Sequence, residues 1–499
     1  MHRAIKNIHL LRPGLLFIIL FFAINSSAQD SPLQQSIVSL PVQGNNAVDT
    51  VYMVDTLNRA FTVRNIIVEG NKRTREKIIL RELSFKEGDS LYLKDIPVKF
   101  EESINRLKNL SLFHENEIRI SVLKFEQYYI DVQISVTERW YILPAPHLKP
   151  VDRNISQWLF KENANLSRVD YGVKLMMDNV TGNNDKMRFY FVTGYTRQLM
   201  LSYRRPYIDK NMKWGLGFDV SIGKNHEINY NSIDDKQVFL KLKDKNFARN
   251  FFRSEIEATY RPAFYTTHTF GVAYNYLRIN DSVLKLNPTF FKEPGNTIAF
   301  PELYYKLAYV NFDYNPYPTK GHAGELVLTR QGFGKQINVF QLAAKGIKYW
   351  PITEKAFYSL GAAGSIKLPF KQPYYSSQLL GYGDMTMRGY EYYVVDGVAG
   401  GLVNATLAQQ LTNFKLHIPG TKWLTPRLIP LKIYGKVFGN VGYAHNPEPG
   451  LNRLNNKLLL GGGIGFDVIT MYDFTLRIDF SFNQLGQNGL YLQKKSTFQ

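Results

Sequence analysis

Trp214–Gly223 reads WGLGFDVSIG. Trp214, Leu216, Phe218, Val220 and Ile222 alternate with Gly215, Gly217, Asp219, Ser221 and Gly223, the period of two that a β-strand imposes. The pattern recurs downstream. Phe474, Leu476, Ile478, Phe480 and Phe482 alternate with Thr475, Arg477, Asp479 and Ser481. Leu431, Ile433, Val437, Val441 and Tyr443 alternate with Lys432, Tyr434, Lys436, Phe438 and Asn440. One face is apolar and fit for lipid; the other carries charge, small residues and tyrosine, as a wet lumen would. Strands of a soluble sandwich also alternate, so the choice between sandwich and membrane barrel rests on the rest of the chain.

At the start, Arg3, Lys6 and Arg12 flank the apolar run Leu15–Ile24, and Ser26-Ser27-Ala28 follows. The run is too short to span a bilayer as a helix and has the layout of a signal peptide over residues 1–28. Residues 29–60, rich in Ser, Gln, Asn and Val without periodicity, are expected to be a flexible linker. Beyond residue 28 there is no run of 18 apolar residues, yet the chain has 32 Tyr and 33 Phe. A non-helical chain in a bilayer must satisfy its backbone as a closed barrel. At ~10 residues per tilted strand plus connections, residues 143–499 hold roughly 16 strands.

The formal charge is +19, and Trp140 onward carries +17 of it. For an exported chain this predicts a basic lumen, or rims facing outer-membrane lipids, rather than nucleic acid. The absence of cysteine excludes disulfides, thiolate metal sites and a cysteine nucleophile. The nine histidines are scattered without HExxH, and neither GxSxG nor GxxxxGK[ST] occurs. The expectation is a non-enzyme with no cofactor and no metal.

Residues 61–139 have a different texture. Phe61, Val63, Ile66 and Val68 suggest a strand ending at Glu69-Gly70-Asn71. Thr74 is a candidate cap for a helix with Ile78, Ile79 and Leu83 on one face, and Asp95 for a second, with Pro97 in its first turn and Phe100, Ile104 and Leu107 on its buried face. Two alternating strands follow, Ile118–Val122 and Ile130–Val136. The expected order is β-α-α-β-β.

The run IIVEGNKRTREKIILRELSFKEGDSL…RLKNLSLFHENEI…YIDVQISVTER resembles a POTRA domain over the whole unit. Two further stretches are similar to the BamA/TamA-type assembly-factor superfamily, also called the bacterial surface antigen family. One is Phe312–Gly321 (FDYNPYPTKG), a hairpin with two prolines and a closing glycine. The other is Arg388-Gly389-Tyr390. The resemblance implies that this triplet lies on a long loop folded into the lumen, against an inner-wall Phe-x-Asp-x-Gly strand. Here that motif reads Phe438-Gly439-Asn440-Val441-Gly442, with Asn440 in the aspartate's place. With no acid between Asp396 and Glu448, Asp384 and Asp467 become candidate partners of Arg388. The resemblance also implies a POTRA edge that receives extended clients by strand addition, with Ile118, Ile120 and Val122 on the candidate edge Glu117–Leu123.

The expected fold is mainly β: a transmembrane antiparallel β-barrel of about 16 strands, preceded by one small α/β POTRA domain. The expected location is the bacterial outer membrane, with the POTRA domain in the periplasm. The function implied by resemblance is to insert or move other proteins at that membrane. Its partners would be unfolded outer-membrane or secreted clients, and accessory periplasmic or lipoprotein components. Two alternatives remain. A two-partner-type secretion pore would serve one dedicated client, and a passive surface barrel would leave other barrels unaffected when deleted. A lipid hydrolase would need a Ser/His pair that the sequence does not place.

Overall fold

The structure is a computed structural model that describes residues 58–151, 158–159, 162–242, 246–417, 428–470 and 474–494. The signal peptide and nearly all of the linker expected above lie outside the described residues.

The first unit contains β1 (Ala60–Glu69), α1 (Glu76–Leu80), β2 (Ser90–Tyr92), α2 (Ile96–Asn109), β3 (Arg119–Glu126) and β4 (Tyr129–Ser135). Its sheet has the order β2-β1-β4-β3, with β1 and β4 parallel. The helices bury Ile78, Ile79 and Leu107 against Val63, Ile130, Val132 and Ile134, all essentially removed from water. The order is therefore β-α-β-α-β-β rather than β-α-α-β-β. Strand β2, three residues long, is too short to show a period.

Neither expected cap forms. Arg75, not Thr74, is the residue before α1, and no side chain caps that helix. The Thr74 hydroxyl is instead engaged by Tyr141 and Asn179 (2.9 and 2.8 Å). Asp95 precedes α2, with Pro97 in the first turn, but its carboxylate makes no capping bond.

The remainder is a sixteen-stranded antiparallel sheet. It runs through β5 (Ile142–Pro150), β6 (Val169–Asp178), β7 (Lys186–Gly194), β8 (Thr196–Arg205) and β9 (Trp214–Asn225). After a separate hairpin, β10 (Glu227–Ile233) and β11 (Lys236–Lys241), it resumes with β12 (Arg249–Tyr260), β13 (Thr266–Ile279), β14 (Thr297–Phe312) and β15 (Gly321–Gln331). It ends with β16 (Val339–Pro351), β17 (Ala356–Leu368), β18 (Ala399–His417), β19 (Leu428–His445), β20 (Leu458–Ile469), β21 (Thr475–Asn483) and β22 (Asn488–Lys494).

The alternation has the expected sense. Trp214, Leu216, Phe218, Val220 and Ile222 are exposed, as lipid-facing side chains are without lipid, and so are Phe480 and Phe482. Asp479, Ser481, Lys436 and Asn440, on the opposite face, are buried. That face meets groups from distant parts of the chain. Tyr317, from the β14–β15 turn, packs its ring against Tyr434 of β19 and donates to Asp467 of β20.

The small domain packs on the turns at one end of the barrel. Arg73 donates to Val180 O and Arg81 to Met212 O. Asn109 donates to Phe312 O and accepts from Asn315 N, so α2 sits on the Phe312–Gly321 turn. At the centre of the contact Glu82, almost fully buried, accepts from Arg261 through both terminal guanidinium nitrogens (2.7 and 3.1 Å) and from Arg81 through one (2.9 Å).

Candidate functional site

The loop 369–398, between β17 and β18, returns into the barrel. Gly389 adopts φ +90°, where any other residue would be strained. Arg388 Nε donates to Asn440 Oδ1 (3.2 Å) and Nη2 to Thr406 Oγ1 (3.0 Å), while the guanidinium lies over the Phe438 ring, 3.9 Å from its centroid. Asn440 Nδ2 donates back to Arg388 O (3.1 Å).

This explains how asparagine serves where the resemblance expects aspartate. One amide accepts from the side chain of Arg388 and donates to its backbone; a carboxylate can only accept. The site also removes the expected need for an acid. Asp384 bonds Lys345 Nζ (2.9 Å) on β16 and is not the partner of Arg388. Asp467 is bound by Lys436 Nζ (2.5 Å) and Tyr317. It acts on Arg388 only through the field, as do Asp479, Glu391 and the like-charged Arg477.

Three anchors were missed in the sequence. Asn483 Nδ2 donates to Gly389 O (2.7 Å), Glu391 Oε2 accepts from Gly389 N (2.9 Å), and Thr406 holds the guanidinium. Thr406 lies directly opposite Phe438 in the β18–β19 ladder, so the lumen-facing register was the signal that could have found it. Tyr390 donates to Leu460 O (3.2 Å), and Gly442 lies against Met387. Gly461, in the GGGIG run, gives room: a Cβ there would sit 2.5 Å from Arg388 O.

The far end of the barrel is bridged as well. The tip of the β10–β11 hairpin carries Asp235, whose carboxylate accepts from Arg453 N (3.0 Å) and Leu454 N (3.1 Å) and whose backbone O accepts from Val394 N (2.8 Å). Ser232 and Tyr382 both donate to Asp396. Hairpin, lumen loop and the 446–457 loop thus hold one another across that mouth.

Among the described residues both sheets have open edges. In the small domain β3 is terminal, paired only with β4. Ile120 and Val122 lie on it, but Ile118 precedes it and is buried in the core, because a 3-10 turn at Glu115–Glu117 occupies the start of the expected edge. In the barrel, β5 and β22 end the sheet, and no ladder joins them among the described residues. Strand β5 reads ILPAPHLKP. Pro144, Pro146 and Pro150 share one parity, and proline cannot donate to the β6 ladder, so this parity points away from β6. On the open side only Ile142 and Leu148 keep an N–H.

A model of the Omp85 superfamily domain matches residues 179–483, and the POTRA model, described as surface antigen variable number repeat, matches residues 61–139. No curated protein matches. Among solved structures, CdiB from Escherichia coli superposes with TM-score 0.52 at 12% identity, covering 87% of this chain and 75% of that one. BamA from Haemophilus ducreyi lacking POTRA domains 1–3 gives TM-score 0.48 at 15% identity, covering 87% and 83%.

Proposed function

Since the chain belongs to the Omp85 superfamily, a bacterial outer-membrane barrel with a periplasmic POTRA domain, we propose that it inserts other proteins into the outer membrane through the opening between β5 and β22. The carrying observation is the proline-interrupted β5. An open edge templates another strand, and an edge short of donors closes poorly on its own partner. Clients would arrive along the POTRA edge β3 and leave sideways, since the lumen holds the 369–398 loop and the outer mouth is bridged. Arg388, Asn440 and Thr406 would keep that loop in place. The work is done by strand exchange, without a catalytic residue or cofactor.

Depletion followed by quantitative outer-membrane proteomics tests this, with rescue by wild type or by Arg388→Ala. The proposal expects many barrel proteins to fall, and wild type alone to restore them fully. Loss of one secreted protein with barrels unchanged would make the chain a dedicated pore, and no change would make it a passive barrel.

A further inference from the structure

On β9 the lipid-facing row runs from Trp214 to Ile222, eight residue steps, about 26 Å along the tilted strand at about 3.3 Å per step. Tilted by about 40°, that run rises about 20 Å, and the two further residues to Lys224 bring the rise to about 25 Å, the height of the apolar band of an outer-membrane barrel. The next lipid-facing residue, Lys224, therefore stands where hydrocarbon gives way to headgroups, at the end far from the POTRA domain.

The register extends this position sideways. Lys224 pairs with Arg197 of β8 and with Asn250 of β12, and Asn250 pairs with Arg278 of β13. One step inward, the same strands place Leu199, Ile222, Phe252 and Tyr276 in register. A row with three cations and no acid thus borders an apolar row on one face of four adjacent strands. Arg197 and Lys224 both lie over the Phe247 ring, 5.2 and 5.5 Å from its centroid. His226 stacks on the same ring at 4.4 Å. None of the three cations forms an ion pair among the described residues.

Like charges directly opposite in a ladder are destabilising. An isolated lysine at a membrane rim needs only to reach water, but a cross-strand pair held over one aromatic ring with a third cation in the same row concentrates charge. We propose that Arg197, Lys224 and Arg278 form a binding site for the phosphate of an outer-leaflet glycolipid, whose acyl chains lie on Leu199, Ile222, Phe252 and Tyr276. Arginine gives the phosphate a planar pair of donors and lysine a point charge. A lipid fits better than free phosphate because the apolar row continues directly from the cations. The site depends on the barrel and its orientation, not on the insertion activity.

The test uses the full chain in nanodiscs of phosphatidylcholine with a minor fraction of either lipid A or its dephosphorylated form. Native mass spectrometry counts the glycolipid retained. Heat-modifiable gel mobility confirms that each variant is folded. The expected result is retention of lipid A over the dephosphorylated form. Each of Arg197→Gln, Lys224→Gln and Arg278→Gln should lower retention about fivefold, while Arg197→Lys should keep most of it. Equal retention of the two glycolipids, or a folded triple glutamine variant that retains lipid A like wild type, overturns the proposal. Displacement of lipid A by an equal concentration of inorganic phosphate would overturn the lipid assignment.

Discussion

Asn440→Ala is the sharpest perturbation of the lumen loop. It deletes the acceptor of Arg388 Nε and the donor to Arg388 O together. A hydrogen bond to a charged group contributes about 1.5–3 kcal/mol and a neutral one about 1 kcal/mol, partly returned when the freed guanidinium finds water. A net cost of about 2 kcal/mol raises the undocked fraction of the loop roughly 30-fold. Arg388 then becomes its own reporter, because trypsin cleaves Arg388–Gly389 only when the loop is out. With opening faster than cleavage, the cut rate follows the open population. Purified variant and wild type should differ about 30-fold in this cut. Asn440→Asp, which restores the acceptor but not the donor, should fall between them. The reasoning is refuted if folded Asn440→Ala is cut within about twofold of wild type.

Other expectations follow from the rest of the structure. Pro144→Val with Pro146→Val returns two donors to the open side of β5, worth about 1 kcal/mol each. Spin labels at His147 and Leu490 should show a shorter, narrower distance than in the proline parent. Glu82→Gln leaves Arg81 and Arg261 without their shared carboxylate, a loss of about 3–5 kcal/mol for a broken buried pair. Hydrogen exchange should rise at 207–213 and 261–264 while the POTRA core stays protected. In the POTRA sheet the Arg64 guanidinium, bonded to both oxygens of Asp131, holds that carboxyl below its usual range. A depressed carboxyl contributes stability above its unfolded pKa of about 3.9 and loses it as pH falls through the folded value. Acid unfolding of the chain's POTRA segment, followed by hydrogen exchange, should therefore be less steep below about pH 4 in Arg64→Gln than in wild type, the carboxylates bound elsewhere in the domain keeping the remainder.

The barrel was legible because a lipid-facing strand must alternate, and Trp214–Gly223 alternates without a break. The lumen loop was legible at Arg388 and Asn440 because the resemblance paired them. What escaped is what the sequence assigns locally and the fold spends at a distance. Thr74 has the chemistry of a cap, yet its hydroxyl is used by Tyr141 and Asn179. Asp384 lies four residues from Arg388, but a wall lysine takes it. The Phe312–Gly321 turn reads as a plain hairpin, and its Asp313 does close it by accepting from Thr319 and Lys320 N; nothing local reveals that Tyr317 enters the lumen and that Asn109 docks beneath. The β10–β11 hairpin resembles any pair of spanning strands until its tip at Asp234–Asp235 is seen bonded across the mouth.

The central claim is sideways release between β5 and β22, and locking that opening tests it most directly. The chain has no cysteine, so a pair introduced on β5 and β22 and joined by a short crosslinker is the one covalent tie present. Cells that depend on this variant should stop accumulating new outer-membrane barrels when the tie is made and resume when it is cleaved. Unchanged barrel accumulation in fully crosslinked cells would contradict the account.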